Sequence, residues 1–154
     1  MKLSQNDLVW YGRNFTKDNV TYFDYSASGF EFCFTGTKAQ MTILSDSSNW
    51  NEENKGVLGI YVSKINPSDY KGNSLWNDFP EDVTQKIFLN EYENKIVLFE
   101  SEKQETVLIR VLKLSECAFG YAGLADLQID GELVKPTQRE DDALKIEFIG
   151  DSIT

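Results

Sequence analysis

Three phenylalanines alternate with other residues in the stretch Gly29-Phe30-Glu31-Phe32-Cys33-Phe34-Thr35-Gly36-Thr37. Successive side chains of a β-strand point to opposite faces, so the three rings share one face. Three adjacent aromatic rings are too apolar to face water, and we expect this face to lie in the core of a sheet. Gly36 offers a turn into the run Gln40 to Leu44, which predicts a hairpin.

The same period of two continues through most of the chain. Five further runs read as strands: Val57 to Lys64, Gln85 to Leu89, Glu105 to Leu114, Leu124 to Ile129 and Glu132 to Val134. The run from Glu105 to Leu114 is apolar on both faces and predicts a central strand. The pair Asp130-Gly131 predicts a tight hairpin, and Phe88 is expected in the core. Short strands without βαβ alternation predict an all-β fold, an antiparallel β-sandwich or jelly roll.

The composition bounds the class of protein. A chain of 154 residues with 41% hydrophobic and 26% charged residues is expected to form one globular domain plus a tail. Its formal net charge of -10 disfavours nucleic acid as a partner, and no apolar run is long enough to span a membrane. The start lacks the pattern of a signal peptide, which predicts a cytoplasmic protein if Met1 is the native start and an extracellular one if a leader was removed.

Metal and cofactor sites have no support in the sequence. Cys33 and Cys117 show no zinc-ligand spacing, and the chain contains no histidine. Cys33 lies inside an alternating strand and is expected to pack as a small hydrophobe, although a disulfide between the two cysteines remains open. The paired acidic residues lie in polar loops and are read as a solvated surface. We therefore expect neither metal nor cofactor.

A polar stretch from Lys135 to Asp142 predicts a domain boundary, with residues 1–136 as the sandwich and 137–154 as a linker and the first strand of a second domain. That strand leads into Gly150-Asp151-Ser152. A serine in a turn at the carboxyl end of a strand is a candidate nucleophile, with Gly150 and Asp151 supporting the turn. Serine hydrolysis also needs a base, usually histidine, which is expected beyond Thr154.

These segments together resemble the carbohydrate esterase family 2 enzymes. The matching segments are Trp10-Tyr11-Gly12-Arg13, Gly29-Phe30-Glu31-Phe32, Phe34-Thr35-Gly36-Thr37, Arg110 to Glu116, Asp130-Gly131 and Lys145 to Thr154. In that family a jelly-roll domain precedes an SGNH-type (GDSL-like) hydrolase domain that removes acetyl groups from plant polysaccharides. The resemblance implies that Ser152 is the nucleophile and that its backbone N–H is a donor of the oxyanion hole. It also implies xylan or glucomannan as the substrate of the complete protein, and an inactive fragment.

The alternative is a non-catalytic carbohydrate-binding module. Trp50 and Trp76 lie beside polar turn residues and are candidates for contact with a sugar or with the second domain. A scaffold separated from its catalytic domain should instead expose an apolar patch near Asp130-Gly131 and Lys135-Pro136. The strand from Lys145 to Ile149 should then add to a sheet edge, in this molecule or in a tail-mediated oligomer.

Overall fold

Nine antiparallel strands make up the part of the chain described by the computed structural model, which covers residues 1–46, 54–72 and 82–137. The strands are β1 (Val9–Tyr11), β2 (Phe15–Lys17), β3 (Val20–Tyr22), β4 (Gly29–Leu44), β5 (Val57–Lys64), β6 (Gln85–Phe88), β7 (Glu93–Lys113), β8 (Gly123–Ile129) and β9 (Glu132–Val134). Short 3-10 turns lie at Gln5–Asp7, Pro67–Asp69 and Cys117–Phe119. The prediction of an antiparallel all-β fold is confirmed.

The two longest strands, β4 and β7, pair with each other from Gly29↔Leu112 to Leu44↔Glu93 and form the centre of the sheet. On its other edge, β7 pairs with β5, which pairs with β6. The other edge of β4 pairs, along its length, with β1, β9 and β8. Strand β8 also pairs with β3, and β3 pairs with β2. The predicted central strand is therefore confirmed as the second half of β7.

The hairpin predicted at Gly36 is wrong. Strand β4 continues through this residue, and its pairing with β7 shifts register between Gly36 and Lys38. The glycine makes room for the Asp130-Gly131 segment rather than for a chain reversal, because a Cβ at this position would lie 2.5 Å from Oδ1 of Asp130 and 3.1 Å from the backbone nitrogen of Gly131. A bulge thus bends the strand where a turn was expected.

The predicted Asp130-Gly131 hairpin is also wrong. Strands β8 and β9 both pair with β4, so the chain continues in one direction along the same edge. The carboxylate of Asp130 accepts the backbone N–H groups of Thr37 and Lys38, each at 2.9 Å, and the hydroxyl of Thr37. Asp130 therefore fastens this segment to the bulge of β4. The positive φ angles of a two-residue turn instead occur between β2 and β3, at Asp18 (51°) and Asn19 (64°).

The phenylalanine stripe lies in the core, as predicted. Phe30, Phe32 and Phe34 are fully buried, and successive rings stack with centroids 6.4 and 6.0 Å apart. Met41 and Ile43, from the other half of β4, belong to the same apolar cluster. The two halves of this bent strand therefore enclose one core, as a sandwich requires.

The prediction that Phe88 is buried is wrong, since 42% of this residue is exposed. It lies on β6, at the edge of the sheet, where Ile87 packs on the core and Phe88 alternates to the solvent side. The ring lies 5.6 Å from Nζ of Lys86.

Both cysteines are free, so the disulfide left open by the sequence is absent. Cys33 is buried as predicted, and burial together with the nearby Glu31 carboxylate raises the pKa of its thiol to about 12. A thiol with this pKa stays protonated and unreactive at neutral pH.

Candidate functional site

The outer face of β4 near its start carries a buried ion pair. Glu31 and Arg110 are directly paired on β4 and β7, on the side opposite the phenylalanine stripe. The guanidinium donates to Oε2 of Glu31 from its NH2 group at 3.0 Å and from Nε at 3.3 Å. Its NH2 group also donates to the hydroxyl of Tyr11 at 3.0 Å, and burial followed by the Glu31 carboxylate raises the pKa of this tyrosine. These contacts satisfy two charges that are almost completely buried.

A small apolar cluster lies on the same outer face. It consists of Cys33, Tyr70 and Leu108, with Ile65 and Val134 packed against it. Tyr70 comes from the segment after β5, so the chain covers this part of the sheet with its own residues. We call this region, from Glu31 and Arg110 to Tyr70, the covered face.

The chain leaves β9 beside the covered face. The backbone N–H and the hydroxyl of Thr137 donate to the carbonyl oxygen of Tyr70 at 2.9 and 3.2 Å. Gly72, with a φ of +66°, is closed in by Pro136, whose Cβ would be 2.8 Å from a Cβ at this position. The direction of the chain is therefore held by contacts as far as Thr137.

The apolar patch predicted around Asp130-Gly131 and Lys135-Pro136 is not found in the described residues. Leu133 packs against the main core and Val134 against the apolar cluster of the covered face, and both are half-buried. The segment that folds over from Tyr70 occupies the place where bare apolar surface was expected.

A second outer face, formed by β2, β3, β8 and the far half of β4, carries exposed aromatic rings. Directly paired residues run across it from β2 to β7: Phe15, Tyr22, Gly123, Leu44 and Glu93. Paired residues of antiparallel strands share a face, and the alternate residues Phe23 and Ile43 lie in the core. The row therefore lies on the outside of the sandwich. With neighbouring strands about 4.8 Å apart, it is roughly 19 Å long.

Three aromatic rings on and beside this row, those of Phe15, Tyr22 and Tyr121, pack against one another. Phe15 and Tyr22 stack with centroids 5.1 Å apart and planes 18° from parallel, and 56% of Phe15 is exposed. Tyr121, just before β8, meets Tyr22 edge-on at 5.3 Å. Tyr92, just before β7, is 59% exposed. We call this surface, from Phe15 through Tyr22 and Tyr121 to Tyr92, the aromatic face.

The polar groups beside the aromatic face are acidic. The exposed carboxylate of Asp46 accepts the backbone N–H of Tyr121 at 3.0 Å. The pKa of Tyr121 is raised by burial, with Tyr92 and Asp46 among the further causes. Burial raises the pKa of Asp24, and its Oδ1 is shielded from solvent with no hydrogen-bond donor among the described residues.

A buried lysine ties together the loops behind this face. The ammonium of Lys113 donates to the carbonyl oxygens of Asp24 and Glu116 at 2.7 and 2.8 Å. Burial lowers the pKa of Lys113, while Asp24 and Asp46 oppose that shift. These contacts hold the loops on either side of the sheet end, which makes Lys113 a structural residue.

The described residues contain no group of three or more metal-ligating side chains. The chain also contains no histidine to serve as a general base.

The residues predicted to act lie outside the described parts of the chain. Ser152, with Gly150 and Asp151, falls in 138–154, while Trp50 and Trp76 fall in 47–53 and 73–81. The guanidinium carbon of Arg13, in the Trp10-Tyr11-Gly12-Arg13 segment, lies 5.8 Å from the ring centroid of Tyr25. The sequence reading missed Phe15 and Tyr22, although both flank the turn residues Asp18 and Asn19 in alternating runs.

Comparison with solved structures places the fold. A family two carbohydrate esterase from Cellvibrio japonicus matches with a TM-score of 0.65 and 16% identity, over 88% of this chain and 34% of that one. One from Clostridium thermocellum, solved in complex with cellohexaose, matches with a TM-score of 0.60 and 19% identity, over 85% and 34%. The structural neighbours of the present chain are thus carbohydrate esterase family 2 enzymes. An acetyl xylan esterase from Butyrivibrio proteoclasticus is also similar, with a TM-score of 0.59 and 14% identity over 86% and 32%.

The likeness to these carbohydrate esterases confirms the resemblance at the level of the fold. The chain spans about a third of the length of the esterases that it matches. No family model and no curated protein matches the sequence. Among the described residues, no helix is long and apolar enough to cross a membrane.

Proposed function

We propose that residues 1–136 form the accessory β-sandwich domain of a carbohydrate esterase, and that residues 137–154 begin its SGNH hydrolase domain. The observation that carries this proposal is the match of the sandwich to about a third of several carbohydrate esterases. The apolar run from Ile146 to Ile149, followed by Gly-Asp-Ser, adds the sequence of a nucleophile turn.

In the complete protein, Ser152 is the proposed nucleophile. Its Oγ attacks the carbonyl carbon of an acetyl ester, while a histidine supplied by the rest of the protein accepts the hydroxyl proton. The backbone N–H of Ser152 stabilises the oxyanion. Collapse of the intermediate releases the sugar hydroxyl, which takes the proton, and leaves an acetyl-serine. Water then hydrolyses this ester, releasing acetate and restoring the serine.

The proposed substrate is an acetylated plant polysaccharide such as xylan or glucomannan. One similar structure is described as an acetyl xylan esterase, and another was solved with cellohexaose. Both ligand classes are neutral β-linked glycans, which an acidic protein can approach without charge repulsion.

The test is acetate release by the complete protein from acetylated xylan and glucomannan. We expect Ser152→Ala to reduce the rate by at least 1000-fold, since the covalent step is lost. The control is Ser68→Ala, at an exposed serine whose hydroxyl contacts Asp69, and it should retain the parent rate. Retained hydrolysis in Ser152→Ala would remove the proposed nucleophile.

A second experiment uses residues 1–154 alone. Because this chain has no histidine, we expect no serine-dependent hydrolysis of aryl acetates above buffer. Hydrolysis by the isolated chain that disappears in Ser152→Ala would contradict the division of catalytic groups proposed above.

The second candidate function is a non-catalytic carbohydrate-binding module. The exposed stack of Phe15 on Tyr22 favours it, because flat aromatic faces bind the apolar faces of sugar rings. The candidate sugar contacts predicted from the sequence, Trp50 and Trp76, lie outside the described residues. Saturable oligosaccharide binding by a complete protein that releases no acetate would favour this candidate over the esterase.

A further inference from the structure

We propose that the aromatic face is a binding surface for the pyranose rings of a neutral β-linked polysaccharide, with Phe15 and Tyr22 as the stacking residues. The inference rests on the proposed function in taking a polysaccharide as the ligand. It assigns contact to the β2–β3 hairpin, away from the catalytic serine.

The exposure of Phe15 is the first observation. This ring lies on β2, at the end of the strand order, and 56% of it is exposed. On the neighbouring strand β3, Thr21 is the buried residue that faces the core. The hairpin therefore does not need Phe15 to pack on the core. A solvent-exposed aromatic residue on an edge strand is typical of a contact surface.

The glycine beside Tyr22 is the second observation. Gly123 pairs directly with Tyr22, and a Cβ there would lie 2.8 Å from both Cε1 of Tyr22 and Cγ1 of Val20. The absent side chain lets the tyrosine ring lie against the backbone of β8, as aromatic rings do over glycines in sheets. Phe15 then stacks on this supported ring. The two rings form one fixed apolar surface, which reduces the ordering cost when a ligand binds.

The groups around these rings suit a sugar. Tyrosine hydroxyls at positions 22, 92 and 121 can donate and accept hydrogen bonds, and the exposed carboxylate of Asp46 is an acceptor for sugar hydroxyls. A pyranose presents C–H groups on its faces and hydroxyls at its rim. This chemistry matches an apolar stack bordered by polar groups.

Charge favours a neutral glycan over the other occupants of an aromatic surface. The chain carries a formal net charge of -10, and Asp46 and Glu93 lie at this face. Anionic polymers are repelled by such a surface, and so is a second copy of the same acidic chain. An uncharged polysaccharide meets no such repulsion.

The direct test is calorimetric titration of the 154-residue chain with xylohexaose, mannohexaose and cellohexaose. We expect saturable binding of at least one hexasaccharide, weakened at least tenfold by Phe15→Ala and by Tyr22→Ala. The matched control is Phe88→Ala, which removes an exposed phenylalanine from the opposite edge strand and should change affinity less than twofold. Phe15→Leu keeps an apolar side chain without a flat ring and should bind as weakly as Phe15→Ala.

Several outcomes would overturn the inference. No binding of any of the three hexasaccharides by the parent, or parent-like affinity in Phe15→Ala, would exclude the aromatic face as the site. Self-association of the parent that disappears in Phe15→Ala, measured by sedimentation, would assign the face to a second copy of the chain. The circular dichroism spectrum and the thermal midpoint of each variant must match those of the parent before its affinity is compared. The variant Tyr22→Phe keeps the aromatic stack and should bind within threefold of the parent.

Kinetics of the complete protein separate this inference from the proposed esterase. Phe15→Ala should lower kcat/KM on acetylated polymer at least threefold, whereas Ser152→Ala should abolish hydrolysis of both the polymer and an aryl acetate. The control Phe88→Ala should match the parent on both substrates. If Ser152→Ala is fully active while Phe15→Ala loses hexasaccharide binding, the catalytic proposal fails and the binding surface stands. If Ser152→Ala is inactive and Phe15→Ala matches the parent on polymer and in titration, the binding surface fails alone.

Discussion

The two outer faces of the sandwich differ in what lies over them. On the covered face, Glu31 and Arg110 are buried against each other beside a cluster that includes Tyr70. On the aromatic face, Phe15 and Tyr92 are more than half exposed. Buried charges require partners within the chain, whereas exposed aromatic rings can gain stability from a ligand. The contrast indicates that the covered face stabilises the domain and the aromatic face serves recognition.

The largest loss of stability is expected from a substitution in the core beneath both faces. Phe32→Ala should lower the free energy of unfolding by about 3 to 5 kcal/mol, because it removes a fully buried ring and leaves a cavity. The measurement is urea denaturation, in which the midpoint should fall at unchanged m-value. A midpoint within error of the parent would mean that Phe32 is not a core residue.

On the covered face, Arg110→Met should lower the free energy of unfolding by about 3 kcal/mol, because Glu31 then remains buried without the guanidinium. The double variant Arg110→Met/Glu31→Leu removes both charges and should recover part of this loss. Denaturation of both variants measures the difference. If the single and double variants are equally stable, the ion pair does not hold the covered face together.

At the bend between the two faces, Asp130→Asn should change the pH dependence of stability. Hydrogen bonds from the Thr37 side chain and from backbone N–H groups hold the pKa of Asp130 below its usual value. A lowered folded pKa stabilises the fold above the unfolded pKa of about 3.9, and this contribution is lost as pH falls through the folded pKa. The parent should therefore lose more stability than Asp130→Asn in denaturation series from pH 5 to pH 2. Parallel curves would exclude this role.

Phe15→Ala, on the aromatic face, should have the smallest effect on stability, within about 0.5 kcal/mol of the parent. Its ring is largely exposed and its loss leaves no cavity in the core. The same denaturation measurement applies, with Phe88→Ala as the matched exposed control. A loss of 2 kcal/mol or more, roughly a cost expected only of buried groups, would show that Phe15 supports the fold and would weaken the contrast between the faces.

The sequence predicted the parts of this fold that depend on alternation alone. The phenylalanine stripe, the central strand in β7 and the buried Cys33 follow from a period of two and from burial preferences. Phe88 obeys the same alternation, but the side of β6 that faces the core depends on its pairing with β5, which is not local. Gly36 and Asp130 are residue types common in turns. In the fold they contact each other, so Gly36 forms part of the bulge in β4 and Asp130 holds the neighbouring segment against it.

The candidate surfaces were harder to predict, for two physical reasons. The alternation places Glu31 outside the core, but its burial as a charged residue depends on its pairing with Arg110, which lies 79 residues away along the chain. The aromatic face joins β2, β3 and the segment before β8, so only the antiparallel pairing brings its rings together. Asp18 and Asn19 were the available signal, because both tolerate positive φ and predict the hairpin that places Phe15 on Tyr22.

The contrast between the two faces is tested most directly by mapping backbone amide chemical shifts while a hexasaccharide is added to the chain. The account predicts saturable shifts concentrated at residues 15–22 and 121–124, with the amides of Glu31, Arg110 and Tyr70 unchanged. Shifts centred on the covered face, with the β2–β3 hairpin unaffected, would contradict it.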